Sequence, residues 1–191
     1  MSSRFSPIVV VLALAAFGAI AACGSTTTPT SAPTSGAAAT SAPGSSSSAA
    51  ASSLQACSAV TQADAASITG DQSITTESTG TAGADVCVYA DVSSGSGAGS
   101  DVAVLVEPAP GVSAAILQAA LASEAKNASG TYQAVSGLGD AAYAETETNE
   151  GALVFVKGST LVVMVASSPT MSGSALLSAL ESKAQSIAGQ L

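Results

Sequence analysis

Apolar positions along this chain fall into three regimes. An unbroken apolar run, Ile8–Ala22, opens it. A long stretch from Gly24 to Ser53 follows, almost entirely Ser, Thr, Ala, Pro and Gly. Ordered patterning begins only near Leu54. A short helix is predicted near Thr61–Thr69, because Thr61 and Asp64 fit a capping box and Gly70 is a natural stop. Strands are predicted at about Ser73–Ser78 and Val86–Val92, then at Asp101–Glu107 after a Ser/Gly turn over Ser93–Ser100. The last of these is apolar on both faces, as a central strand would be.

Pro108 and Pro110 end that strand. A second helix is predicted over Ser113–Lys126, with Ile116, Leu117, Ala120 and Leu121 on one stripe. Tyr132–Val135 begins a strand that Ser136-Gly137-Leu138-Gly139-Asp140 interrupts, and Ala141–Glu145 resumes extended. Ala152–Val156 and Thr160–Ala166 are the clearest strands, joined by a tight hairpin through Gly158. A last helix spans Gly173–Ala188, with Leu176, Leu177, Leu180, Ala184 and Ile187 facing inward. The expected order is α-β-β-β-α-β-β-β-α. Short connections make the sheet antiparallel, so the fold class is α+β, with the helices packed on one face of the sheet.

The opening segment reads as a leader. Arg4 supplies a positive n-region, and the run of about 15 residues is secretory in length and short of the roughly 20 needed to span a bilayer. Ile20-Ala21-Ala22-Cys23-Gly24 resembles the lipobox of bacterial lipoproteins. That resemblance implies cleavage before Cys23, lipidation of Cys23 and attachment to the outer face of the cell membrane. The expected organisation is therefore a signal peptide over 1–22, a lipidated cysteine and tether over 23–53, and one domain over 54–191. The tether has too little apolar bulk to offset ordering entropy. As a flexible coil it spans about 30 Å. Its Thr/Pro content fits either O-glycosylation or a bare linker.

Composition narrows the chemistry. Beyond Arg4 there is no arginine, and the chain has no histidine or tryptophan. The usual general base, zinc ligand, anion clamp and sugar-stacking platform are thus missing, and without His a Ser-His-Asp triad cannot exist. No cofactor and no metal site is expected. The domain keeps three lysines against 13 acids, a net charge of −10, which repels nucleic acid. Such a surface serves solubility, or it meets cations or a basic partner. Cys57 and Cys87 remain for one disulfide, whose loop of about 30 residues is worth about 3–4 kcal/mol.

Several short motifs together carry a resemblance. They are Cys57-Ser58-Ala59-Val60-Thr61, a short helix closing on Ile68-Thr69-Gly70, Cys87-Val88-Tyr89, and Gly137-Leu138-Gly139-Asp140-Ala141. The chain over about 54–190 resembles the actinobacterial lipoproteins grouped as domain of unknown function 3558. Tyr89 stands where that family often has Trp. The resemblance implies location and a disulfide, and it supplies no catalytic residue.

Three acids are candidate ligand contacts. Asp140 lies in a Gly-x-Gly turn, where it either accepts backbone N–H bonds or meets a ligand. Glu145 and Glu147 alternate, which would place them on one strand face, as acid/base or calcium-binding carboxylates or as a solvated edge. The expected function is a non-catalytic binding or accessory module of the envelope. The alternatives are a carboxylate-based hydrolase and a surface protein without specific ligand. The expected partners are the membrane, through the lipid anchor, and an envelope lipid or protein; the domain is expected to be a monomer.

Overall fold

The computed structural model describes residues 54–78, 85–91, 99–125 and 130–191. The leader, Cys23, the tether, most of the Ser93–Ser100 turn and the end of the second predicted helix lie outside the described residues. The elements are α1 (Ala56–Ala59), α2 (Gln62–Thr69), β1 (Thr75–Ser78), β2 (Asp85–Ala90), β3 (Asp101–Pro108), α3 (Ala114–Glu124), β4 (Thr131–Ala134), β5 (Ala141–Thr146), β6 (Glu150–Lys157), β7 (Thr160–Ser167) and α4 (Gly173–Ala188).

The fold is α+β with one antiparallel sheet of seven strands, in the order β1-β2-β3-β7-β6-β5-β4. Two meanders meet where β3 pairs with β7, in register from Asp101↔Ser167 to Pro108↔Thr160. The capping box forms as expected: Thr61 accepts from the Asp64 N–H while Asp64 accepts from the Thr61 N–H. Gly70 closes α2 in the left-handed region at φ 72°.

Three features depart from the expected architecture. First, the helices cover both faces. Alternate strand residues Val104, Leu153, Phe155, Val162 and Met164 pack with α1, α2 and α4, while Val154, Val156, Leu161, Val163 and Val165 pack with Leu117 and Leu121 of α3. The reason lies in β6 and β7, whose runs are apolar at every position and leave two faces to be covered.

Second, Ser136–Asp140 does not interrupt one strand. It reverses the chain, so β4 and β5 are separate strands paired from Thr131↔Thr146 to Ala134↔Tyr143. Gly137 and Gly139 take φ of 78° and 63°, and Leu138 between them is buried in the larger core. The left-handed region costs a residue with a Cβ about 1–2 kcal/mol, which is why glycines flank the plug. Third, a one-turn helix, α1, precedes α2. The Asp85 carboxylate accepts the Ala56 N–H at 2.6 Å and so satisfies its first turn. The order is therefore α-α-β-β-β-α-β-β-β-β-α.

The stripe on α3 is also narrower than expected. Leu117 and Leu121, one turn apart, are buried, whereas Ile116 is 54% exposed and Ala120 is exposed. A helix lying on a sheet with a single ridge buries only that ridge.

Candidate functional site

Cys57 on α1 and Cys87 on β2 form a disulfide, with their Cα atoms 5.1 Å apart. It ties the N-terminal turn to the sheet beside Tyr89, whose buried hydroxyl donates to the Val60 carbonyl. Burial pushes the Tyr89 pKa up. This corner is structural: its polar groups are consumed in holding α1 and α2 against β2.

The three candidate acids are not brought together. Asp140 stands at the start of β5, where its carboxylate accepts the Gly158 N–H at 2.7 Å and joins the β4–β5 loop to the β6–β7 turn. Glu147 lies past the other end of β5, six residues of strand away, or about 20 Å. Glu145 is buried to 2% exposure on the α3 face, directly across from Tyr132. It is therefore not part of a solvated edge. Glu147 is exposed, falls outside β5 and sits on the opposite side with Thr146. The expected shared face fails because the strand ends at Thr146, before the alternation reaches Glu147.

What the structure does assemble is an open pocket of about 490 Å³ where the β5–β6 hairpin meets α4. Thr131, Thr146, Glu147 and Thr148 line one wall, and Ser172, Gly173 and Ser174 line the other. Two glycines bring these walls together. A Cβ on Gly173 would fall on the carbonyl oxygens of Glu147 and Glu150. A Cβ on Gly151 would lie 2.9 Å from the Leu177 nitrogen. The seam is then stitched by backbone bonds, Gly173 N–H to the Thr148 carbonyl at 3.0 Å and Ser168 N–H to the Asn149 carbonyl at 3.1 Å. The Asn149 amide adds a bond to the Met171 carbonyl at 2.8 Å. The pocket lining is mostly polar, with hydroxyl-bearing side chains from five Ser and Thr residues and one carboxylate at Glu147.

More acids stand at the same end of the sheet. Asp101 accepts the Ser167 hydroxyl at 2.6 Å, and burial holds its pKa up against that bond. Asp71, held down by its bonds from Ser73, closes the turn after α2. Lys157 and Lys183 are elsewhere. Lys183 pairs with Asp64 at 2.7 Å. Lys157 donates to the Ala188 carbonyl at the C-terminus of α4, where a cation meets the negative end of the helix dipole. Among the described residues no three Cys, Asp or Glu side chains are grouped to hold a metal ion.

The seam was missed in the sequence because its function is carried by absent side chains. Gly151 sits in an apolar run, and Gly173 reads only as the first residue of a helix. Ser172 ahead of the apolar stripe of α4 was the readable sign; its hydroxyl accepts the Ala175 N–H as the N-cap. No family model matches this chain, and no curated protein or solved structure matches it.

Proposed function

We propose that this chain is an extracytoplasmic lipoprotein of the cell envelope, anchored through Cys23, whose tethered domain works as a non-catalytic binding module. The observation that carries the reading is the Cys57–Cys87 disulfide. Disulfides persist in oxidising compartments and are rare in the cytosol. A lipobox-like Ile20-Ala21-Ala22-Cys23 ahead of an uncharged tether gives the same address. The resemblance to the actinobacterial lipoproteins agrees with it.

For the domain, support comes from how its polar groups are spent. Asp140, Asp64, Asp85 and Asp101 each accept hydrogen bonds that hold the fold. Asp140, Glu145 and Glu147 stand apart. Among the described residues, the pocket between the β5–β6 hairpin and α4 is a concave polar feature of the kind that recognises hydrogen-bonding groups.

The test is fractionation of cells making the parent chain or Cys23→Ser. The parent is expected in the membrane fraction and accessible to protease added outside. Cys23→Ser is expected to leave the membranes, because one thioether-linked diacylglyceryl group supplies the binding. A variant that still sediments with membranes places the anchor elsewhere.

A further inference from the structure

α3 covers the second face of the sheet with one ridge, Leu117 and Leu121, and its outward side is apolar as well. Ala115, Ile116, Ala119, Ala120 and Ala122 are all exposed. Among the described residues, Ile116 is the one large apolar side chain left exposed, at 54%. The outward side of α4 is built differently: Ser174, Ser178, Ser182, Gln185 and Ser186 are exposed there, with Ala175. A surface helix ordinarily turns a polar face to water, as α4 does. α3 does not, and the sequence carries no charge from Pro108 to Ser123.

Area, charge and reach together say what lies against this side. The 11 residues of α3 make a helix about 16 Å long and about 10 Å wide, so its outward side offers about 160 Å². A stable protein–protein interface takes about 800 Å² from each partner. A second copy is further disfavoured by the net charge of −10 on each domain. A lipid surface needs no such area if the chain is already anchored in it. Acidic groups are repelled by anionic headgroups, so the uncharged strip is where the domain approaches lipid at the least electrostatic cost.

Reach permits the contact. Residues 24–53 lie between Cys23 and Leu54 and span at most about 100 Å of chain. The chain enters the domain at α1, which packs on the opposite face of the sheet from α3. Those two layers are about 20 Å apart, well within that span.

We infer that the outward side of α3 docks on the lipid surface in which Cys23 is anchored, with Ile116 inserted at the headgroup boundary. The contact is intramolecular in effect. The anchor holds the domain at a high local concentration, so a patch too small to bind from solution suffices. Docking gives the domain an orientation: α4 and the pocket beside Gly173 turn away from the bilayer, toward whatever the module meets. The inference rests on the anchored-lipoprotein reading and adds that orientation to it.

The test uses the full lipidated chain, purified from cells that make it and reconstituted in phosphatidylcholine vesicles with plain or brominated acyl chains. Bromine quenches tryptophan on contact, and the chain has no tryptophan of its own. Ile116→Trp, Ala119→Trp and Ser178→Trp each place one reporter at an exposed position. Burying the exposed half of Ile116 favours docking by about fivefold, so brominated lipid is expected to lower emission from the two α3 reporters about twofold or more. Ser178→Trp, on α4, should keep its emission. Adding Ile116→Asp to Ala119→Trp should abolish the quenching. Equal quenching at all three positions would mean that tryptophan itself draws the chain to lipid, and it overturns the inference. Unquenched α3 reporters, or quenching of Ala119→Trp that survives Ile116→Asp, overturn it too. Sedimentation with the vesicles reads the anchor separately. A chain that sediments without quenching loses only the docking; a chain that stays in solution loses both readings.

Discussion

Replacing Gly173 by alanine sets helix propensity against packing at a single position. Alanine is favoured over glycine by about 1 kcal/mol inside a helix. On propensity alone, the first residue of α4 should gain from the change. Here the new Cβ would fall on two carbonyl oxygens, those of Glu147 and Glu150. Neither is the end of a flexible side chain. Both belong to the β5–β6 hairpin, which Glu147 closes by donating its N–H to the Glu150 carbonyl at 2.9 Å. The hairpin and the helix must therefore separate.

Separation strains or breaks the Gly173–Thr148 bond and loosens the neighbouring Ser168–Asn149 bond. Overpacking of this kind costs about 1–3 kcal/mol, and one lost backbone bond adds about 1 kcal/mol. The propensity gain offsets about 1 kcal/mol, so a net loss of about 1–3 kcal/mol is expected. Urea unfolding followed by circular dichroism measures it as a fall in the midpoint at constant m. Two controls isolate the cause. Ser174→Ala changes the next, exposed residue, and Gly189→Ala places a Cβ 3.4 Å from the Ser186 carbonyl, within ordinary contact. Both should stay within about 0.5 kcal/mol of the parent. A Gly173→Ala protein as stable as the parent, or more so, would refute the close-approach argument.

Two further outcomes are expected. Changing Cys57 and Cys87 together to serine should lower stability by about 3–4 kcal/mol, since the bridge spans 30 residues of sequence; calorimetry showing an unchanged midpoint would remove the disulfide from the stability account. Lys183→Met should cost about 0.5 kcal/mol near neutral pH. Burial pushes the Asp64 carboxyl up, but bonds from Lys183 and Thr61 outweigh it and hold its pKa below the ordinary value. A lowered folded pKa gives stability that is present above the unfolded value and lost as pH falls through the folded one. The difference between Lys183→Met and the parent should therefore shrink as the pH falls below the ordinary carboxylate range and vanish once Asp64 is protonated in the folded protein, and a difference that persists in that acid limit would mean lost packing of the lysine stem instead.

Legibility in the sequence followed how local each determinant was. The bounds of α4, the Thr61–Asp64 capping box and the Gly158 turn were readable because each is set by residues within a few positions of one another. The Ser136–Asp140 reversal was only half readable. Its Gly-x-Gly marks a turn, but a turn between two pairing strands and an interruption within one differ by what lies across them. Val135 N–H to Ala142 carbonyl decides that, and no pattern along the chain announces it.

The second face of the sheet shows the same limit more sharply. The apolar runs of β6 and β7 demanded cover on both sides, and this was visible in the letters. Which helix supplies the cover depends on the hand of the connection between β3 and β4, a property of three-dimensional closure. Two leucines on α3 then suffice to bury a strip that β5, β6 and β7 share. Glu145 follows from that placement. Its alternation with Glu147 suggested a common face, yet register sets it across from Tyr132 beneath the α3 side and nearly sealed from water. A carboxylate is costly to bury without bonded partners, so sequence reasoning assigns such residues to the surface by default. The pairing of β4 with β5, fixed by the glycine-flanked plug at Leu138, overrides that default. The burial of Glu145 thus originates in a loop that does not contain it, while Glu147 parts from it because the strand ends at Thr146.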